Sequence, residues 1–181
     1  MSRRRIPRPI PIWVKNRMRV LGIDPGLATM GYGVVEESGK GLKLVQAGAV
    51  ITTPDMTMPR RLLSIYQDTR ALLDAYRPDE IVFEELFFAK NTTTGIAVGE
   101  ARGCALCACA EYGKPLFEYT PKQIKAAITG YGHAEKRQVQ EMVRMILGLE
   151  KIIRPDDAAD AVAAAVIHLQ SGRLREQFIM K

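Results

Sequence analysis

The run from Arg19 to Asp24, RVLGID, is apolar and ends in a carboxylate, with Pro25-Gly26 directly behind it. A glycine-punctuated apolar return then comes through Gly31, Tyr32 and Gly33 to Val35. No other feature limits the fold as much. The first run reads as a strand buried on both faces. The return through a tight turn reads as its antiparallel neighbour. Asp24 then stands at the edge of a covered sheet. An unpartnered carboxylate there is expensive, so the fold must bring it a metal ion, a nest of backbone amides or a lysine.

The rest of the chain supplies a sheet for that strand. Residues 31–37 and 42–51 alternate as two strands around Gly39–Gly41, which makes an antiparallel meander with residues 19–24. Residues 59–76 have helical spacing and stop at Arg77-Pro78. EIVFEEL (80–86) reads as a short buried strand, 92–112 as a long helix of small residues, and PLFEY (115–119) as a last strand. Thr120 caps PKQIKAAIT, with proline at the first helical position. Residues 134–147 and 156–172 read as two more helices. Strands that begin as a meander and end in βαβ units predict an α/β fold with a five-stranded mixed sheet flanked by helices.

Four acids can meet at one edge of such a sheet. Asp24 ends the first strand. Glu84 and Glu85 end EIVFEEL, and alternation sends them to opposite faces, so one can join Asp24 and the other cannot. Periodicity alone leaves open which. In RPDDAADAVAAAVIH, Asp156 reads as an N-cap. Asp157 and Asp160 lie three apart on one face of the first turn, among alanines that let the helix lie close on the sheet. Each acid alone has a structural reading, as a turn former, a strand-end surface acid or a favourable charge at a helix start. One cause for all is a hard divalent cation, and carboxylate-only ligation suits Mg²⁺ or Mn²⁺. Two such ions can activate a water and stabilise the leaving oxygen of a phosphodiester displacement. His168, eight residues after Asp160, reads as a packing histidine.

Composition sets outer limits. The 181 residues carry a formal charge of +6, but seven of the 26 Lys and Arg fall in residues 1–19, which hold no acid. The remaining 19 bases face 20 acids, a net of −1. Overall charge is therefore weak evidence for nucleic acid, and local basic patches matter more. Residues 1–17 read as a basic, proline-broken, disordered arm, 18–172 as one domain and 173–181 as a short tail. No apolar run reaches the length of a membrane span and the N-terminus lacks a signal-peptide core, which points to a cytoplasmic protein without a membrane partner. Cys104, Cys107 and Cys109 lie inside the long helix, where a redox or zinc role is poorly served, and read as small buried thiols.

With LGIDPG…GYGV, EELFFAKN, GEARG, FEYTPKQIK, AEKRQVQEMV and DAADAVAAAVIH in this order, the sequence from Met18 to about Gly172 resembles the RuvC family of Holliday junction resolvases. The resemblance implies an RNase H-like fold, a homodimer, Mg²⁺ as cofactor (Mn²⁺ as substitute, two ions per subunit) and symmetric nicking of four-way junction DNA in recombination and repair. It also implies work alongside a branch-migration helicase complex. It places the catalytic acids on Asp24, Glu84, Asp157 and Asp160, and favours Glu84 over Glu85, which stands where the family often has glutamine.

Candidate phosphate contacts are Lys90, Lys122, Lys125, Lys136 and Arg137, with the resemblance favouring Lys125 and Lys136. Phe87 or Phe88 could stack on an unpaired base, and the resemblance favours Phe87. Gly95, Gly99 and Gly103 form a stripe along helix 92–112 that a two-fold partner could cover. Two other readings compete: an actin- or sugar-kinase-like ATPase, for which the first strand and hairpin also serve, and a branched-DNA binding module without catalysis. The ATPase needs a second domain that 181 residues do not hold, and it leaves Asp157 and Asp160 unexplained.

Overall fold

The computed structural model describes residues 17–86 and 92–181, with side chains in the second span from residue 95 onward. Its strands are β1 (Met18–Asp24), β2 (Thr29–Ser38), β3 (Gly41–Ile51), β4 (Glu80–Glu84) and β5 (Leu116–Tyr119). They form one sheet in the order β3-β2-β1-β4-β5. The β1–β2 and β2–β3 pairs are antiparallel, and β4 and β5 run parallel to β1. The expected five-stranded mixed sheet is therefore present. The C-terminal ends of β1, β4 and β5 meet at one edge.

The helices are α1 (Met58–Tyr76), α2 (Thr92–Tyr112), α3 (Pro121–Thr129), α4 (Lys136–Ile146) and α5 (Asp156–Gln170). One face of the sheet packs Leu21, Ile23, Val34, Ile81 and Phe83 against α1 and α2. The other packs Val20, Val35, Val82 and Phe117 against α5, with α3 and α4 beyond. Local chemistry sets the ends as the sequence suggests. Arg77 closes α1 in the left-handed region, φ 46. Thr120 Oγ1 accepts from Gln123 N at 3.1 Å, and Thr120 N donates to Gln123 Oε1 at 2.8 Å, a reciprocal cap that starts α3.

The C-terminal residues continue the domain. Gly172–Phe178 form a 3-10 helix, Phe178 stacks on Tyr119 with centroids 4.4 Å apart, and Met180 N donates to Leu116 O at 2.9 Å along the free edge of β5. His168 is fully buried between Tyr119 Oη (3.0 Å) and Glu80 Oε2 (2.6 Å), so it is a satisfied core histidine. The thiol expectation needs correcting. Only Cys109 is buried, where burial pushes it up to about 12, while Cys104 is half-buried and Cys107 exposed. The reason is that, among the described residues, nothing covers the outer face of α2. Ile96 is 67% exposed, Leu63 on α1 is 53% exposed, and a Cβ on Gly99 or Gly103 would meet nothing within 4 Å.

Candidate active site

The site begins with a lane of glycines. Gly22 on β1 pairs with Gly33 on β2, and Asp24 pairs with Gly31. All three glycines face α5. A Cβ at Gly22 would lie 2.0 Å from Ala161 O, one at Gly31 2.0 Å from Asp157 O, and one at Gly33 2.3 Å from Val162 Cγ2. Backbone therefore lies on backbone. The alanines of α5 supply half of this close approach, and the glycines of the sheet supply the other half. Their role was missed in the sequence, where they read only as punctuation. Their placement at i and i+2 on strands that face an alanine helix was the available signal.

This approach brings the first turn of α5 over the C-terminal ends of β1 and β4. Val82, buried against α5, fixes the face of β4, and two residues on Glu84 takes the same face. Glu85 is turned away by alternation. Asp24, Glu84 and Asp160 then each place a carboxylate oxygen within 4.8 Å of the others. Asp157 stands outside this tight trio, although its charge acts on Asp24.

The trio is electrostatically frustrated. Burial, then the charges of Glu84, Asp160 and Asp157, push Asp24 up to about 8. Burial and then Asp160 push Glu84 up to about 7. Asp160 is raised chiefly by burial, and Lys136 partly offsets this. Lys136 Nζ lies 2.7 Å from Asp160 Oδ2. Burial works against its ammonium, but the hydrogen bond and charge of Asp160 outweigh that and hold the lysine above its ordinary value. A cluster of oxygen donors whose charge Lys136 and Lys125 offset only in part suits a hard divalent ion. Lysine supplies part of the partner that Asp24 demanded; the rest of the charge calls for a metal.

A cleft of about 230 Å³ opens from the trio, bordered by Glu84, Asp160, Pro121, Lys125 and Lys136. The profile of the family described as crossover junction endodeoxyribonuclease RuvC matches residues 20–168. The chain belongs to the RuvC family.

The RuvC of Rubrobacter xylanophilus is 55% identical over 160 residues, 88% of this chain and 89% of that one. The RuvC of Chloroflexus aggregans is 52% identical over 161 residues, 89% of this chain and 98% of that one. Thermus thermophilus RuvC in complex with Holliday junction substrate superposes with a TM-score of 0.82 at 34% identity, over 90% of this chain and all of that one. The expected family and its RNase H-like fold are thereby established.

Within this RuvC chain the remaining site residues separate clearly. Lys125 and Lys136 border the acid cleft. Lys122 and Arg137 are exposed on the first turns of α3 and α4. Phe87, Phe88 and Lys90 lie outside the described residues, as does the arm at 1–17 apart from Arg17, which pairs with Glu36.

Asp156 is not the cap. Helix α5 starts on it, Pro155 takes the cap position, and no side chain caps the turn. Proline's fixed φ presets the helical entry, which frees the Asp156 carboxylate to accept from Gln140 Nε2 at 3.1 Å and to pair with Arg154. Gln140, then its cationic neighbours, hold it below the usual carboxylate range. Gln140 and Arg154 hold it, and it lies 3.8 Å from Lys136 Nζ, which sits closer to Asp160 at 2.7 Å. Asp156→Asn is therefore expected to nick junction DNA within about twofold of the parent, because asparagine at a helix start is nearly isosteric and neutral in propensity. A rate as low as that of an Asp160→Asn variant in the same single-turnover assay would place Asp156 in the site instead.

Proposed function

We propose that this chain resolves four-way DNA junctions by divalent-metal-dependent hydrolysis of one phosphodiester on each of two strands. The observation that carries the reading is the trio of half-buried, mutually repelling carboxylates at a cleft that Lys125 and Lys136 border, in a chain of the RuvC family. Asp24, Glu84 and Asp160 would hold Mg²⁺, or Mn²⁺ in its place, with Asp157 as the fourth carboxylate for a second ion. When bound, such ions supply water activation and charge stabilisation of the leaving oxygen.

The chain's own residues do the rest. Lys125 holds the scissile strand's phosphate at the cleft. Lys136, which pairs with Asp160 at 2.7 Å, would offer its ammonium to the same strand if a cation held Asp160. Lys122, Lys136 and Arg137 sit in the first turns of their helices, where a cation opposes the helix dipole by about 0.3–1 kcal/mol each. That local cost supports a role outside the folding of those helices, and the free amides there favour an anion as well. Phe87 and Lys90, on the segment after β4, are proposed to stack on an unpaired base and to hold a phosphate.

A homodimer places two such clefts on one junction. The uncovered α1–α2 face, with Ile96, Leu63, Gly99 and Gly103 open to solvent, supports this arrangement. Light scattering at micromolar concentration is expected to give twice the 20.1 kDa of one chain. A single-chain mass, with and without junction DNA, would remove the dimer from the mechanism. The family also supports a branch-migration helicase complex as a working partner.

The deciding experiment incubates a labelled four-way junction with the protein in Mg²⁺ alone and, separately, in ATP without Mg²⁺-dependent cutting conditions. Paired symmetric nicks in Mg²⁺ alone are the expected result. ATP turnover without nicks would favour the actin-like reading, and a mobility shift without nicks in either buffer would leave only a binding module.

A further inference from the structure

The loop between α3 and α4, residues 130–135, carries two rings that the mechanism above does not use. Tyr131 is 61% exposed, and His133 is exposed beside it with ring centroids 5.6 Å apart. A single exposed aromatic is ordinary on a protein surface. What distinguishes this pair is the fixed backbone beneath it. Gly130 turns in the left-handed region, φ 77. Thr129 Oγ1 accepts from Tyr131 N at 3.2 Å, and Ala134 N donates to Tyr131 O at 3.1 Å. Both peptide groups of Tyr131 are thus held while its ring is left in water.

The loop is also seated beside a cation. Gly132 lies against the stem of Lys122, so that a Cβ there would meet Lys122 Cγ at 3.0 Å. Lys122 shares a helix face with Lys125, and Lys125 borders the acid cleft. Gly132 thus sets the loop against this row of lysines, while the Tyr131 ring borders a separate cleft with Gln138, Glu141 and Met142.

Resting on the junction-resolving reading, we propose that Tyr131 and His133 form a further DNA-backbone site, where the phenol hydroxyl and an imidazole N–H donate to phosphates of the strand beyond the cut. Phosphate acceptors match these donors, Lys122 beside Gly132 offsets the charge of Glu141 near Tyr131, and such contacts set the register of the duplex without reading its bases. The tied backbone keeps the ordering cost of the contact low, because the loop does not have to be immobilised when DNA arrives.

The test is junction affinity in EDTA, where nothing is cut, for the full chain and for Tyr131→Phe, His133→Ala and Lys122→Ala. Tyr131→Phe keeps the ring and loses only the hydroxyl. It is expected to weaken binding about threefold to tenfold, the range of one lost hydrogen bond, with the thermal midpoint and the salt dependence unchanged. His133→Ala is expected to weaken binding by a similar factor. Lys122→Ala should lower the log–log salt slope by about 0.9, as a lost phosphate contact does. Ethylation interference adds a readout that a structural role would not move: a phosphate whose ethylation weakens the parent should no longer matter to Tyr131→Phe. If the parent binds the junction and both ring variants bind within twofold of it with unaltered interference, the site is absent while the resolvase reading stands. If the parent binds no junction, both fall together.

Discussion

Replacing Asp24 by asparagine will abolish nicking in Mg²⁺ and leave junction binding in EDTA as tight as in the parent, or tighter. The amide keeps the shape of the side chain but is a poor ligand for a hard cation. Loss of a mere outer-shell partner costs roughly 10–100-fold at a metal site, so loss of a direct ligand at the centre of the trio is expected to exceed about 100-fold in single-turnover rate. Binding moves the other way because one of the like charges facing the scissile phosphate has gone. Normal cutting by this variant would make Asp24 a turn former and leave the trio without its function.

The same substitution has a signature that needs no DNA. Asp24 and Glu84 are held up at about 8 and about 7, from ordinary values of 3.8 and 4.5. Between those limits the folded chain binds protons that the unfolded chain has released. Their contribution to stability is therefore complete below about pH 4 and is lost as pH rises through 7 to 8. Melting in EDTA should show the parent losing stability across this window, and Asp24→Asn losing less. Mg²⁺ at pH 8 should raise the midpoint of the parent more than that of the variant, since a ligand stabilises only the state that binds it. Parallel pH profiles for the two proteins would mean that burial and the neighbouring acids do not hold Asp24 up.

The second large effect is expected from a residue with no side chain. Gly31→Ala would place a methyl 2.0 Å from Asp157 O and 2.8 Å from Ala158 N. Both neighbours are backbone, so no rotamer change relieves the clash, and α5 has to lift from the sheet. Overpacking of this kind costs about 1–3 kcal/mol or more, which in a chain of this size lowers the melting midpoint by roughly 2–4 °C per kcal/mol. The lift also moves Asp157 and Asp160 away from Asp24 and Glu84. A displacement of about 1 Å at a reacting centre can cost on the order of 100-fold in rate. Cutting should therefore fall further than stability predicts, and Gly39→Ala serves as control, because nothing lies within 4 Å of its Cβ position. Equal melting and equal cutting by both variants would show that α5 is not seated on the glycine lane.

Much of this was legible in the residue order. The meander, the βαβ units, the capping box at Thr120 and the stop at Arg77-Pro78 are local events, written in periodicity and in residues with special backbone geometry. The candidate acids could be read as well, because Asp24, a Glu84/Glu85 pair and the Asp157/Asp160 pair needed one common cause when taken together. Sequence spacing could not choose between Glu84 and Glu85. Alternation states that two side chains point apart but not which of the two faces a given helix covers, and the choice was made by Val82 packing under α5. The residue order set Asp156 apart as a cap, for the wrong reason, and could not rank Asp157 against Asp160. Proline took the cap, Gln140 and Arg154 drew Asp156 aside, and the height of α5 above Gly31 brought Asp160 rather than Asp157 into the trio. Short-range preferences are properties of a segment and its immediate neighbours in the chain. The distance between carboxylates on three different elements depends on how closely backbones can pack, and here that distance is set by glycines and alanines that contribute no chemistry of their own.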